Sequence, residues 1–240
     1  MSLPQAIFAA HRAGFDAVET HSLDLEDIDA VKAALDTTGL PLQLMNTGQG
    51  APGEIGFNAI PGREAEARAD IDKSIAIARR LQCDALHLLA GFTDAPAADT
   101  TFRANLDYAC DAAARHDMTI LIEPLNQQDM PGYFLSHADY ALALIDRMGH
   151  PNLKLIFDCY HVQIMDGDLS RRITALLPLI GHVQIASVPD RGPPDEGEVN
   201  YRHICRLLDS LGWNRPLGVE YIPVGLTEET LGWMQWLRES

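Results

Sequence analysis

The sequence alternates short apolar runs, rich in branched residues, with longer stretches of helical periodicity. This alternation is typical of repeated strand–helix units, which form a parallel sheet covered by helices. The apolar runs predict seven strands, at approximately 15–19, 41–45, 84–89, 118–123, 153–157, 181–186 and 217–221. The periodic stretches predict eight helices, near 4–13, 25–38, 62–81, 98–115, 137–148, 168–178, 200–211 and 227–238. Gly14, Gly39, Gly149 and Gly212 each follow a predicted helix, where a residue that can take positive φ is favoured.

The order of these elements narrows the α/β class to one architecture. Seven strands and eight helices, helix first, predict a TIM (β/α)8-type barrel that lacks its first β-strand at the N-terminus. An unclosed parallel barrel exposes strand edges, which proteins normally cover or pair, so a partner chain that fills the gap or a homo-oligomer is expected to be possible. The length of 240 residues and the hydrophobic content of 47% fit a single domain, which we expect to span residues 1–240.

The charge and the cysteine pattern restrict the partners and the compartment. A formal net charge of −16 argues against nucleic acid and anionic membranes, because a polyanion would be repelled over most of the surface. No apolar run approaches the roughly 20 residues needed to cross a bilayer. The four cysteines show no paired CxxC spacing and are expected to be reduced thiols, which predicts a soluble, cytoplasmic protein.

Four oxygen-bearing side chains lie at or just past the carboxyl ends of predicted strands: Glu123, Asp158, Gln184 and Glu220. The gaps between them are 35, 26 and 36 residues, close to the roughly 31 per unit expected when about 250 residues form an eightfold barrel. Active sites of such barrels lie at the carboxyl ends of the strands, so the spacing predicts that all four meet at one mouth. Structural roles are the alternative: a helix cap or ion pair for the glutamates, a helix cap for Asp158 and a satisfied interior amide for Gln184.

An all-oxygen set of ligands suits Mg²⁺ or Mn²⁺ better than zinc, which favours nitrogen and sulfur. If all four side chains bind one octahedral ion, about two positions remain for a substrate that chelates through adjacent oxygens. Such an ion would polarise a substrate carbonyl and stabilise an enediolate as a Lewis acid. We expect Glu123 and Glu220 to be the catalytic acid and base, because their strands lie far enough apart to face a ligand from different sides.

Three histidines also lie near predicted strand ends. His161, three residues beyond Asp158, is expected to donate to a substrate oxygen or to orient a glutamate, with a hydrogen-bonded loop histidine as the alternative. His87, inside an apolar strand, is expected to be buried and satisfied rather than catalytic. His21 follows the first predicted strand, and nothing in the sequence assigns it a role.

Two loops carry further expectations. Arg191, in the loop after the Gln184 strand, is expected to hold a substrate carboxylate through two parallel hydrogen bonds. A surface ion pair with Asp190 or Asp195 is the alternative. The glycine-rich segment 46–63 is expected to be either an ordered surface loop or a lid that closes over a ligand. Its glycines do not follow the strand, turn and helix arrangement of a dinucleotide site, so a nicotinamide cofactor is not expected.

Six segments between about residues 13 and 222 carry a family resemblance: AGFDAVE, IPGREAEAR, ILIEPLNQQDMPGYFLS, PNLKLIFDCYHVQIMDGDL, LIGHVQIASVPDRGPPDEGEVNY and LGVEY. They closely resemble hydroxypyruvate isomerase, within the larger group of xylose isomerase-like barrels. The resemblance implies isomerisation of hydroxypyruvate, a small 2-oxo acid, to tartronate semialdehyde. It implies Glu123 and Glu220 in proton transfer, and Glu123, Asp158, Gln184 and Glu220 as metal ligands. A histidine often occupies the Gln184 position in the wider group, so glutamine narrows the match toward the hydroxypyruvate isomerase branch.

Several alternatives stay open at this point. The 2-oxo-tetronate isomerases share these motifs, so a four-carbon 2-oxo acid or a ketose epimerisation is also compatible with them. Family members usually carry a strand before the AGFDAVE segment, and its absence here makes an inactive truncated barrel a further alternative. Endonucleases with related barrels cut at abasic sites, but the strong negative charge and the scarcity of histidine ligands count against that class.

Overall fold

Seven parallel strands curl into a nearly closed barrel in the computed structural model, which describes residues 1–21, 23 and 26–238. The strands are β1 (Val18–Thr20), β2 (Leu42–Asn46), β3 (Ala85–His87), β4 (Thr119–Ile122), β5 (Leu153–Asp158), β6 (Ile180–Ile185) and β7 (Gly218–Val219). Each strand pairs with the next one along the chain. The predicted barrel-type α/β fold and its seven strands are therefore confirmed.

Helices connect the strands and cover the outside of the sheet. They are α1 (Leu3–Ala13), α2 (Ile28–Thr38), α3 (Glu64–Leu81), α4 (Ala98–Ala114), α5 (Ala138–Met148), α6 (Cys159–Met165), α7 (Leu169–Leu176), α8 (Tyr201–Ser210) and α9 (Trp233–Arg238). The predicted helix start at residue 25 lies outside the described residues. Among the described helices, none combines the length and the apolar character that a membrane crossing requires.

Helix α8 illustrates how the sequence pattern produces this packing. Its buried side chains Tyr201, Ile204, Cys205 and Leu208 recur at the spacing of a single helix face. The side chain of Asn200 caps the helix by accepting a hydrogen bond from the backbone N–H of His203. The helix therefore begins where the sequence offers a cap and packs through the stripe that its periodicity predicts.

The predicted helix ends are confirmed at glycines. Gly14, Gly39 and Gly149 take φ values of 84°, 71° and 66° directly after α1, α2 and α5. Gly212 takes a φ of 82° two residues beyond α8. A residue without a Cβ reaches this left-handed region without steric penalty, which explains why these helices end at glycine.

The structure differs from the prediction in three segments. Helix α6 follows β5 with no connecting residue, where the sequence pattern predicts a loop. Strand β7 has only two residues, fewer than the predicted strand 217–221, and pairs with β6 alone in the described sheet. The predicted helix 227–238 is a 3₁₀ turn, Thr227–Thr230, followed by α9.

The two faces of the sheet have different surroundings. Alternate strand residues such as Ile120, Ile122, Leu155 and Phe157 pack in the main core with the helices. Residues of the opposite phase, Leu44, Ala85, Leu121 and Ile156, form a separate small cluster inside the barrel. The residue two positions beyond each of Leu121 and Ile156 has the same phase, so Glu123 and Asp158 face the barrel interior above this cluster.

A groove of about 460 Å³ lies between the two edges of the described sheet, β1 and β7. It is lined by side chains from α1, β1, β7 and α9, including Ile7, Val18, Val219 and Trp233. The barrel is therefore open on one side of the described structure, next to its first and last strands.

Candidate active site

The carboxyl ends of the strands bring the predicted site residues to a second cavity, of about 320 Å³. Glu123 and Glu220 directly follow β4 and β7, Asp158 ends β5, and Gln184 lies within β6. Asp158 is paired in register with Gln184 on the neighbouring strand. Five of the six predicted residues line the cavity: Glu123, His161, Gln184, Arg191 and Glu220. The Oδ2 atom of Asp158 lies 3.6 Å from Nε2 of His161 and 3.7 Å from Nη2 of Arg191.

Glu123 is enclosed between two imidazole rings and is only 5% exposed. Its Oε2 lies 3.5 Å from Nδ1 of His87, and its Oε1 lies 3.8 Å from Nε2 of His161. Burial raises the pKa of Glu123 well above its ordinary value, and the carboxylates of Asp158 and Glu220 raise it further. Glu123 is therefore a carboxyl group with increased proton affinity.

The two carboxylate oxygens of Asp158 have different partners. Oδ1 accepts a hydrogen bond of 2.8 Å from the backbone N–H of Tyr160 and caps α6. Burial raises the pKa of Asp158 to about 6, although the charge of Arg191 and the N–H of Tyr160 oppose this shift. The helix cap that the sequence offered as an alternative is present, and it uses only one of the two oxygens.

His161 lies in α6 rather than in the loop that the sequence predicts, and it is buried. Its Nδ1 accepts a hydrogen bond of 3.0 Å from the backbone N–H of Asn126, so the proton of the neutral ring is on Nε2. Burial, together with the charge of Arg191, lowers the pKa of His161 to about 3. The ring is therefore neutral and presents an N–H to the carboxylates of Glu123 and Asp158.

His87 and His21 both line the cavity, and they differ in burial. His87 is buried as expected, but its Nε2 has no hydrogen-bond partner among the described residues, and the ring lines the cavity. Burial lowers the pKa of His87 to about 3. The exposed ring of His21 lies at the rim, with its Nε2 4.0 Å from Oε1 of Glu220. His87 is therefore a neutral ring at the inner wall.

Arg191 points from its loop toward the carboxylates. It has a positive φ of 52°, and its Nη2 lies 3.3 Å from Oε1 of Glu220. The guanidinium group lies 5.0 Å from the centroid of the Tyr160 ring. Its ion pairs are thus with Glu220 and Asp158, not with Asp190 or Asp195 as the alternative suggested. A planar, five-donor cation is held at the inner edge of the cavity.

The free oxygens of this cluster fit a cation. Three of the buried oxygens without a hydrogen-bond partner in the described part of the chain belong to this cluster: Glu123 Oε1, Asp158 Oδ2 and Gln184 Oε1. Buried polar atoms of this kind are unfavourable unless a partner satisfies them. Glu123, Asp158 and His161 offer ligand atoms that lie within 4.8 Å of one another, and this buried group could bind a metal. The sequence prediction has Gln184 and Glu220 in place of His161, whose Nε2 proton favours donation over coordination.

Glu19 is a site residue that the sequence analysis missed. It lines the cavity from β1, with its Oε2 2.6 Å from Nε2 of His182 and its Oε1 3.0 Å from Nε2 of Gln184. Burial raises the pKa of Glu19, but the contacts with His182 and Gln184 outweigh burial and lower it overall. The sequence does offer one indication of Glu19, because it lies at the carboxyl end of the first predicted strand, as the other site residues do on theirs.

The segment 46–63 forms part of the cavity wall through Gln49 and Ile55. It packs against the residues that follow β3, where Gly56 forms an isolated bridge with Ala90 and a Cβ on Gly56 would lie 2.4 Å from the backbone oxygen of Leu89. Gly56 also takes a φ of 80°, so glycine is required there on two counts. The segment is therefore a loop that forms part of the cavity wall, and its role as a lid stays a prediction.

A family model described as xylose isomerase-like TIM barrel matches residues 7–238. The chain belongs to this family. A 2-oxo-tetronate isomerase of Cupriavidus necator is 41% identical over 95% of the chain and 90% of its own length. The hydroxypyruvate isomerase of Escherichia coli is 38% identical over 94% of the chain and 90% of its own length. The resemblance to hydroxypyruvate isomerase that the motifs predict is confirmed at the level of the family.

Solved structures support the same fold. A crystal structure from Brucella melitensis, named AP endonuclease, family 2, superposes with a TM-score of 0.94 and 42% identity. The superposition covers 97% of this chain and 92% of the Brucella melitensis chain. The family therefore contains close relatives with isomerase names and a close structural neighbour with an endonuclease name.

Proposed function

We propose that this chain is a metal-dependent isomerase that interconverts hydroxypyruvate and 2-hydroxy-3-oxopropanoate (tartronate semialdehyde). The observation that carries the proposal is the group of unpartnered, buried oxygens of Glu123, Asp158 and Gln184 beside the guanidinium of Arg191. Oxygen donors suit a hard cation, and the guanidinium suits a carboxylate, so the cavity offers both groups that a short 2-oxo acid needs. The names of the relatives, isomerases of 2-oxo acids, agree with this chemistry.

We propose Glu123, Asp158, Gln184 and Glu220 as the ligands of Mg²⁺ or Mn²⁺. When bound, the cation supplies Lewis-acid stabilisation of the negative charge that develops on the substrate oxygens. One carboxylate oxygen of Glu220 lies 3.3 Å from Arg191. If Glu220 binds the cation, the guanidinium of Arg191 loses this contact and can engage a ligand. His161 keeps its N–H toward the same carboxylates and orients them.

The two glutamates divide the proton transfer between them. One takes a proton from C3 of hydroxypyruvate, and the other gives a proton to C2, while the hydroxyl proton on C3 moves to the oxygen on C2. Atoms and electrons balance without an external oxidant. Burial raises the pKa of both Glu123 and Glu220, and a carboxylate with a raised pKa is the stronger base. The strands that they follow, β4 and β7, are three positions apart in the sheet, which supports proton transfer by the two glutamates from different sides of a ligand.

Arg191 is proposed to hold the substrate carboxylate. Its guanidinium is fixed by the Tyr160 ring and by a hydrogen bond of 3.3 Å from Nε to the backbone oxygen of Glu220. The terminal nitrogens remain on the cavity side, where two parallel hydrogen bonds to a carboxylate can form. This contact would favour 2-oxo acids over neutral sugars.

A four-carbon substrate is the second candidate, because the Cupriavidus necator relative is named 2-oxo-tetronate isomerase. Side-by-side turnover of hydroxypyruvate and 2-oxo-tetronate would rank the two acids, and a ketose would test epimerisation. An endonuclease function is opposed by the net charge of −16. Incision of abasic DNA by the purified protein would overturn that judgement. We also propose a cytoplasmic location, since the four cysteines are all free and buried.

The first test is turnover of hydroxypyruvate by metal-stripped protein, before and after addition of Mg²⁺ or Mn²⁺, with tartronate semialdehyde as the product measured. We expect activity only with metal, and a loss on the order of 10²–10⁴-fold in kcat for Glu220→Gln, since a proton-transfer group is removed. Glu228→Gln, at an exposed position away from the cavity, is the matched control. Full activity of Glu220→Gln would exclude Glu220 from the proton transfer, and no turnover of either acid would support an inactive barrel.

A further inference from the structure

We propose that Glu19 is a positioning residue that fixes the side-chain amide of Gln184 with its oxygen toward the metal site. The inference rests on the metal-dependent function proposed above and deepens it, because it assigns a role to a residue outside the proposed ligands. Glu19 comes from β1, the strand farthest in the sheet from the cluster of β4 to β6.

The orientation of the Gln184 amide follows from its neighbours. Its nitrogen lies 3.0 Å from Oε1 of Glu19 and 3.2 Å from Oε2 of Glu220. The opposite orientation would place an amide oxygen against two carboxylate oxygens, with no hydrogen to share between them. The amide nitrogen therefore faces the two carboxylates, and the amide oxygen faces the interior, where it has no partner among the described residues.

Glu220 alone cannot fix this orientation. It is itself a proposed ligand and is 34% exposed, and its other oxygen already contacts Arg191. Glu19 is the more constrained of the two carboxylates that accept from the amide. Its second oxygen lies 2.6 Å from Nε2 of the buried His182, two residues before Gln184 on the same face of β6. His182 thus fixes Glu19, and Glu19 fixes the amide.

The backbone of β7 leaves room for these three side chains. A Cβ on Gly218 would lie 2.5 Å from Oε1 of Glu19, 2.7 Å from Cγ of Gln184 and 2.7 Å from Nε2 of His182. Any larger residue would therefore displace the triad formed by Glu19, His182 and Gln184. The close approach of these side chains explains why glycine occupies position 218 in the strand, although the backbone there does not require an unusual φ.

Two other roles for Glu19 need to be separated from positioning. Its negative charge could attract a cation at a distance, and its contacts with β6 could simply brace β1 across the open side of the barrel. Replacement by glutamine separates the charge from the hydrogen bonds, since a glutamine oxygen can accept from Gln184 and its nitrogen can donate to a His182 ring. Removal of Gln184 separates positioning from bracing, since a brace does not depend on the amide.

The experiment is a double-mutant cycle on Mn²⁺ affinity, measured by titration calorimetry and by the electron paramagnetic resonance of free Mn²⁺. We expect Glu19→Leu to weaken binding by about 10–100-fold, the usual effect of removing a group that orients a ligand. Glu19→Gln should retain most of the affinity. In a Gln184→Ala background, Glu19→Leu should change the dissociation constant by less than about twofold, because the amide through which it acts is gone.

Each contrary outcome identifies its cause. Equal losses of Mn²⁺ affinity in Glu19→Gln and Glu19→Leu would mean that charge is responsible. Equal losses of affinity for Glu19→Leu with and without Gln184 would mean that bracing is responsible. Either result overturns the proposal. Wild-type affinity in Glu19→Leu overturns it as well. Absence of Mn²⁺ binding by the wild type would instead refute the metal site itself, and with it this role. If Glu19→Leu does not fold, the smaller Glu19→Ala replaces it in the cycle with the same expected pattern.

Discussion

Arg191 and Glu220 share a contact that a bound carboxylate would compete for. The guanidinium nitrogen Nη2 lies between Oε1 of Glu220 at 3.3 Å and Oδ2 of Asp158 at 3.7 Å. Both distances are long for a charge-assisted hydrogen bond, which usually measures about 2.7–2.9 Å. The arginine is thus placed near the acidic cluster without being fully engaged by it.

Replacement of this arginine by lysine tests its role. Arg191→Lys keeps the charge but loses the planar pair of donors. Hydrogen bonds to charged groups contribute about 1.5–3 kcal/mol, so we expect KM for hydroxypyruvate to rise by on the order of 10–100-fold. The change in kcat should be smaller. Steady-state kinetics would check this. Arg171→Lys is the matched control, because Arg171 is 88% exposed and pairs with Asp168 on the surface. An unchanged KM would remove Arg191 from substrate binding.

The sequence could predict the strand-end donors but not the residues that support them. Glu123, Asp158 and Gln184 end long apolar runs, so their phase and spacing were readable from the chain alone. Glu19 is the middle residue of a strand of only three residues, and the partner that fixes it, His182, is 163 residues away. A contact of that separation leaves no local pattern, which is why the support of the Gln184 amide is visible only in the fold.

Helix α6 joins two site residues in a single rigid turn. It begins directly after Asp158, whose Oδ1 caps it, and it carries His161 in its first turn. The sequence pattern did not predict it because helix signals usually need a longer periodic stretch, and this helix has only seven residues. Helices α3 and α4 and strands β4 to β6 could be predicted, because each periodic stretch is longer than the uncertainty in the positions of its two ends.

The cap and the proposed ligand role of Asp158 can be separated by two substitutions. Asn is as good a cap as Asp, so Asp158→Asn should keep the stability of the fold while weakening Mn²⁺ binding. Asp158→Ala removes the cap as well, and we expect it to be less stable than Asp158→Asn by about 1 kcal/mol in the free energy of unfolding. Urea unfolding and Mn²⁺ titration of both variants would check this. Equal Mn²⁺ affinity in wild type and Asp158→Asn would contradict the ligand role.

The four proposed ligands come from or directly follow β4, β5, β6 and β7, so one cation would connect consecutive strands of the open barrel. A ligand that binds only the folded state stabilises it by mass action. The same cation would also offset part of the mutual repulsion among the carboxylates of Glu123, Asp158 and Glu220. Metal binding should therefore be visible in the stability of the whole molecule.

Thermal unfolding with and without metal tests this coupling. At a Mn²⁺ concentration about 100 times the dissociation constant, the folded state gains about 2.7 kcal/mol, which for a chain of this size corresponds to a rise in Tm on the order of 5–10 °C. Scanning calorimetry in EDTA and in Mn²⁺ would measure it. The double variant Glu123→Gln, Asp158→Asn should show little shift. A shift of equal size in that variant would mean that Mn²⁺ stabilises the protein elsewhere.

The segment 46–63 contributes Gln49 and Ile55 to the cavity, whereas the oxygen donors come from strand ends. The loop part of the cavity wall and the proposed reacting groups are therefore encoded in separate parts of the chain. For enzyme redesign, this separation identifies where to place diversity. A library at these two loop positions would sample acids of different length and shape while the reacting groups stay constant.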